Sequence, residues 1–372
     1  MAIQVQLRRG TATQNNAFTG AIGELSFDTT NNQLRVHDGS TAGGFKIGTG
    51  DFPTGTANVA LGNTALDSLD GSSPGGNNVA VGHNALTANT TASNNVAVGS
   101  GSLAANTTGA TSVAVGNGAL AANTTASNNV AVGSAALATS TTATDNTAIG
   151  YQALNANTSG ADNVALGTEA GHDITTGSRN TILGSKAADA ATTTDDSTLI
   201  GYNAGGSAIM TGHDNTAVGA NTLGATTSGN SNTAVGKNSG TSITTGSYNT
   251  LLGFQAGDAL TTGNSNVAVG YNALSAEDGD GSNIAIGANS LGNQNAGATA
   301  YNVAVGHDAG ASVTVGIKNV LLGGLAGDAL TDADSNVAVG YQALSFDQQG
   351  SNSVAIGNQA LTTQRFTGGT NV

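Results

Sequence analysis

From Asn58 onward a five-residue phrase, Asn-Val-Ala-Val-Gly and close variants, recurs with its closing glycine at 62, 82, 99, 116, 133, 150, 167, 184, 201, 219, 236, 253, 270, 287, 306, 323, 340 and 357. Eighteen copies leave 17 intervals, and 14 of these are 17 residues long. A period this short cannot be met by independent globular units. It specifies a solenoid, in which each repeat is one coil that closes its core only against its neighbours. The second residue of the phrase is Val, Ile or Thr and the fourth is aliphatic in every copy, which suits a short β-strand. In a strand the second and fourth side chains share one face and the third points to the other. The expectation is therefore a dry seam of Val and Leu inside each coil, with the recurrent third-position Ala packed against something close outside it.

A second regularity ties distant positions together. Four residues after the glycine, 11 copies have Leu (Leu66, Leu86, Leu103, Leu120, Leu137, Leu154, Leu223, Leu274, Leu291, Leu344, Leu361), and the other seven have Gly or Ala. In five of those seven an aliphatic residue follows three places later: Ile174, Ile243, Leu260, Val313 and Leu330. In the coil with the 18-residue interval, Ile209 is expected to do the same with one residue of slippage. The third residue of the phrase is bulky only at Ile182, Leu199, Leu251 and Leu321, each time after a turn that lacks the Leu. Volume exchanged between positions 11 residues apart is the signature of one close-packed space.

The core of such a coil is thin. The chain has 56 Gly, no Trp and no Cys among 372 residues, and only 9% of residues are charged. At roughly 1.5–3 kcal/mol per buried aliphatic, three such residues per coil offset little of the roughly 1–2 kcal/mol per residue lost on ordering. Association with identical copies supplies the remainder most economically, so a homotrimer is expected. Collagen is excluded because Gly does not recur at every third residue and there are two prolines, Pro53 and Pro74.

Before the repeats the texture differs. Residues 1–52 hold four of the seven Phe and four of the nine bases, enough for a small core of their own. Ile3, Val5 and Leu7 alternate with polar residues as in a strand, and Asn31-Asn32 between two alternating runs reads as a hairpin turn. The strings Ile3-Gln4-Val5-Gln6-Leu7-Arg8-Arg9-Gly10-Thr11, Gly23-Glu24-Leu25-Ser26-Phe27-Asp28 and Asp38-Gly39-Ser40-Thr41 resemble the N-terminal domain of phage receptor-binding fibres of the major tropism determinant type, with His37 where that family commonly has Gly. The resemblance implies a β domain that trimerises and ties a fibre to the virion, with Arg8, Arg9 and Asp38 as the residues expected to serve attachment or trimerisation. The repeats in turn resemble the heads of trimeric autotransporter adhesins of the YadA type. Ser353-Val354-Ala355-Ile356-Gly357 followed by Asn358-Gln359-Ala360 carries that likeness, although the period is 17 against about 14 in that family. It implies a left-handed parallel β-roll in a trimer.

Catalytic material is sparse: three Glu and five His lie scattered without metal-ligand spacing. Glu277-Asp278-Gly279-Asp280-Gly281 contains part of a calcium loop without its full spacing and reads as a solvated acidic turn. The Thr-rich turns change register between units, which sets aside an ice-binding array. More telling is the residue just after the glycine, which is Tyr151, Tyr202, Tyr271, Tyr341, Phe254, His83 or His307 in seven copies. The four Tyr with Phe254 are the candidate surface-binding residues, able to form an adhesive ladder for host-surface glycan; rings lying over neighbouring turns or between subunits are the structural alternative.

The reading is an all-β, non-enzymatic chain: an N-terminal β domain (1–52), a parallel β-roll of 18 coils with period 17 (53–361) and a short tail (362–372), assembled as a homotrimer. Its expected role is a phage virion fibre, assembled in host cytoplasm, most simply a tail fibre that adheres to the host; a capsid-decorating fibre and a bacterial surface adhesin are the alternatives. No cofactor is expected. A net charge of −14 argues against nucleic acid, and no apolar run is long enough to insert in a membrane. Partners are sister copies, other virion proteins and host glycan. The absence of a secretory signal and of a C-terminal anchoring barrel favours the phage reading over the bacterial one.

Overall fold

The computed structural model describes residues 8–30, 33–37, 39–40, 42, 45–47, 58–68, 75–277, 279, 281–297 and 299–363. The chain divides into two compact units, Met1–Tyr151 and Gln152–Val372. The first opens with a four-stranded sheet in the order β1 (Arg8–Gly10), β2 (Leu25–Asp28), β3 (Gln33–Val36), β4 (Phe45–Ile47). β1 runs parallel to β2, while β2–β3 and β3–β4 are antiparallel. The β2–β3 pair is the expected hairpin; its two Asn, the Ile3–Leu7 alternation and the seam at Pro53 lie outside the described residues. One element is not foreshadowed by the alternation pattern. A five-residue helix, α1 (Ala12–Asn16), is opened by Thr11 and Gln14, which cap each other's backbone N–H groups.

The repeats form a parallel β-solenoid with one three-residue strand per coil. β5 (Val59–Leu61) to β10 (Thr147–Ile149) belong to the first unit and β11 (Val164–Leu166) to β22 (Val354–Ile356) to the second. Neighbouring strands pair in register one coil apart, as in Ala114↔Ala131 and Ala217↔Ala234. Numbering a coil 1–17 from the first residue of the phrase, as in Ser112 to Asn128, the buried positions are 1, 3, 8, 9, 12 and 15. Here the expected sidedness is reversed. The third-position Ala points inward, as at Ala114, Ala217 and Ala304, each with 0% exposure, and the flanking Val, Ile and Leu at positions 2 and 4 point outward. The coil is so narrow that only a methyl fits opposite Leu at position 9, which leaves the larger aliphatics no room inside.

Position 9 meets a second constraint. Its backbone lies in the left-handed region, with φ +52° at Leu120 and +50° at Leu223, a conformation that glycine adopts freely and Leu does not. The 11 Leu therefore supply core volume against a conformational cost, whereas Gly171, Gly240 and Gly310 adopt the turn freely and leave space. That space is filled as the covariation requires. A Cβ built on Gly171 would meet Ile182 Cδ1 and Leu154 Cδ2 at 3.0 Å and Ile174 Cδ1 at 3.2 Å, so the exchanging positions do share one space. In the 18-residue coil the filler is Met210, fully buried, and not Ile209, which is 64% exposed. The extra residue turns Ile209 outward and brings the unbranched Met to the gap beside Gly205.

Two devices close and stack the coils. The glycine at position 5 has φ between +128° and +145°, and its Cα lies so close to the next coil that a Cβ on Gly219 would stand 2.6 Å from the Gly236 carbonyl oxygen. Position and conformation both exclude a side chain. The Asn at position 1 is buried and bonded in two directions. Asn249 Nδ2 donates to the Gly263 carbonyl of its own coil (2.9 Å), and its Oδ1 accepts from the N–H of Asn266 in the next (2.9 Å). Where Ser stands instead, the vertical bond survives (Asn215 N to Ser197 Oγ, 3.2 Å), and Thr194 Oγ1 donates to the otherwise unserved Gly212 carbonyl (2.6 Å). The turn threonines, contrary to the expectation of shifting register, align at position 13. Thr90, Thr107 and Thr124 each donate their hydroxyl to the carbonyl of the corresponding residue one coil on, so these donors serve the stack.

Candidate functional site

With Ala and Leu inside, the outer surface of each coil sorts into columns. Of the 36 outward strand positions, 30 are aliphatic, six are Thr and none is charged. They are partly open to solvent in the single chain: Leu166 is 45% exposed, Leu252 47% and Ile286 38%. An outward position that is aliphatic in 18 of 18 copies has no reason to stay so in water. Charge falls instead on the corners. Arg179 and Asp196 form a two-pronged pair between successive coils (2.6 and 2.7 Å), and Lys186 lies 3.3 Å from Glu169. Those bonds hold the Asp196 carboxyl below its ordinary range and raise Lys186. Burial pushes the carboxyls of Asp189, Asp258 and Asp328 upward.

The residue after the glycine occupies position 6, beside the aliphatic stripe. All five expected surface-binding residues are exposed there: Tyr151, Tyr202, Tyr271 and Tyr341 by half or more, Phe254 by 40%. They do not form one continuous ladder. Phe254 and Tyr271, one coil apart, stack with ring centroids 5.8 Å apart and planes within 9°. Tyr202 lies between Ser185 and Ala220 in its column, and Tyr341 between Gly324 and Asn358. Two exposed tyrosines that the position-6 pattern omits, Tyr248 and Tyr301, sit on a different corner at the last position of their coils.

In the N-terminal sheet Arg8 extends over the Phe18 ring (3.8 Å to its centroid) and lies 3.5 Å from Glu24, while Arg9 is exposed; Asp38 lies outside the described residues. A buried polar cluster stands beneath them. Arg35 donates to Asp28 (2.8 Å) and to Asn16 Oδ1 (2.7 Å). His37 accepts the Gly20 N–H at Nδ1 (3.3 Å), which leaves Nε2 as the donor to Ser26 Oγ (2.9 Å), and its ring meets Phe18 edge to face. His37 thus joins two loops of the sheet, a role that spacing in the sequence does not signal. Among the described residues no three His, Cys, Asp or Glu side chains gather as a metal site, and no helix is long and apolar enough to cross a membrane.

Residues 5–41 match the family described as the Major tropism determinant N-terminal domain. Over 52 residues the chain is 48% identical to the "Tail fiber receptor-binding protein" of Bordetella phage BPP-1. That stretch covers 14% of this chain and 14% of the relative's length. No solved structure matches the chain.

Proposed function

We propose that the chain is a phage tail fibre that carries adhesion to the host, a structural and non-catalytic virion protein. The N-terminal match to a tail fibre receptor-binding protein is the observation that carries this reading. In it, residues 1–52 hold the fibre on the virion, with Arg8, Arg9 and Asp38 serving attachment or trimerisation. The solenoid, akin in its phrase to YadA-type heads, forms the projecting shaft, and the rings at position 6 face host glycan.

The fibre is a homotrimer, and the outward stripe supports this more directly than coil thinness does. Uncharged aliphatic side chains lying partly open on successive coils of each unit need a partner with the same spacing, and a second and third copy in parallel register have it. The test is electron microscopy of virions labelled with antibody against residues 152–363, with light scattering of the isolated fibre for its mass. Label on tails and a threefold mass are expected. Label confined to capsids, or a monomer in solution, refutes the corresponding half.

A further inference from the structure

Resting on that adhesive reading, the structure assigns a saccharide slot to the column Tyr271–Ala288–His307. These residues hold position 6 in three successive coils, and the backbone keeps the column in line: Asn289 N–H donates to Tyr271 O (2.8 Å) and Asp308 N–H to Ala288 O (2.9 Å). Phe254 covers one face of the Tyr271 ring. The opposite face looks toward the next coil, where Ala288 offers a methyl in place of a ring. Two rungs of about 4.8 Å therefore separate Tyr271 from His307, enough for one six-membered ring at about 4.5–5 Å from each side.

The slot is built and polar along one edge. Asp308 holds His307 through Oδ2 and Nδ1 (2.9 Å) and accepts from Asn289 Nδ2 at Oδ1 (2.8 Å), so the imidazole, carboxylate and carboxamide are positioned before a ligand arrives. Tyr271 is 53% exposed, and the His307 side chain 68%. An apolar ring face opposite an imidazole, with an acceptor and an amide beside them, matches a pyranose, whose C–H face is apolar and whose rim is hydroxyl. The other tyrosines of the column lack this set: Tyr202 is followed by Ala220 and then Lys237, and Tyr341 by Asn358. Stacking on Phe254 also removes rotamer freedom from Tyr271 before binding.

Ala288→Tyr tests the slot without risk to the fold, because position 6 already accepts Tyr one coil earlier. Saturation-transfer NMR is run on the full-length fibre with the methyl glycosides of glucose, galactose, N-acetylglucosamine and rhamnose at millimolar concentration. Transfer to ring C–H protons of at least one sugar is expected in the wild type. Binding should weaken about tenfold or more in Ala288→Tyr and Tyr271→Ala, with thermal unfolding unchanged. No transfer from any of the four sugars, or equal transfer in Ala288→Tyr, overturns the slot. Binding of the fibre to host cells scores the adhesive reading separately. Cell binding unchanged in Ala288→Tyr sinks the slot and leaves adhesion standing; sugar transfer at the slot without cell binding upholds the slot and sinks adhesion.

Discussion

Leu321 and Gly310 belong to adjacent coils and compete for one space, which makes their interaction energy measurable. A Cβ on Gly310 would stand 2.6 Å from Leu321 Cδ1 and 3.0 Å from Leu291 Cδ2. Leu321→Ala removes a fully buried side chain from a site that cannot collapse, at a cost of about 3–5 kcal/mol. Gly310→Leu forces a side chain into the same space and places it at φ +61°, a cost of about 1–3 kcal/mol for overpacking and about 1–2 kcal/mol for the left-handed backbone. Together the two changes restore the Leu at position 9 and the Ala at position 3 found in other coils, with Val313 kept at position 12, and Leu tolerates φ near +50° at position 9. The double variant should therefore be more stable than Leu321→Ala alone, with a coupling of about 2–3 kcal/mol. Hydrogen exchange read by mass spectrometry on peptides spanning 303–330 is the suitable assay, because a stacked array need not unfold in one step. Additivity of the two single changes within about 0.5 kcal/mol would refute a shared core space.

Asn249→Ala strands a buried N–H of Asn266 and the Gly263 carbonyl, a loss of about 2–4 kcal/mol. Asn249→Ser should cost less, and exchange of the Asn266 amide distinguishes the two variants. Ile286→Glu puts a charge on the outward stripe and should dissociate the fibre with the coil fold kept; light scattering with circular dichroism reports both, and an intact oligomer argues against that face. Burial raises the folded-state carboxyls of Asp258 and Asp328, so their protonated forms favour the fold and that contribution is lost as pH rises through the raised value. Asp258→Asn with Asp328→Asn should raise the melting temperature at neutral pH and lose that advantage near pH 4; an advantage that grows on acidification contradicts the assigned cause.

The repeat period, the strand at each phrase and the exchange of volume between Gly171, Ile174 and Ile182 were all legible in the sequence, because each follows from what fits a coil of constant length. The hairpin before residue 40 was legible for the same local reason. Sidedness was not. Alternation states that Val and Ala face opposite ways but not which way is in, and the small, uniform side chains give no contrast to decide it. Coil width settled the question: Leu from the left-handed turn enters from the far side, Ala alone fits opposite, and the invariant aliphatics are left outside. In the same way sequence spacing collected the five position-6 aromatics, yet only stacking in space distinguishes Tyr271, supported by Phe254, from rings that stand alone. One-dimensional periodicity fixes neighbours along the stack; the direction a side chain points is a property of the closed coil.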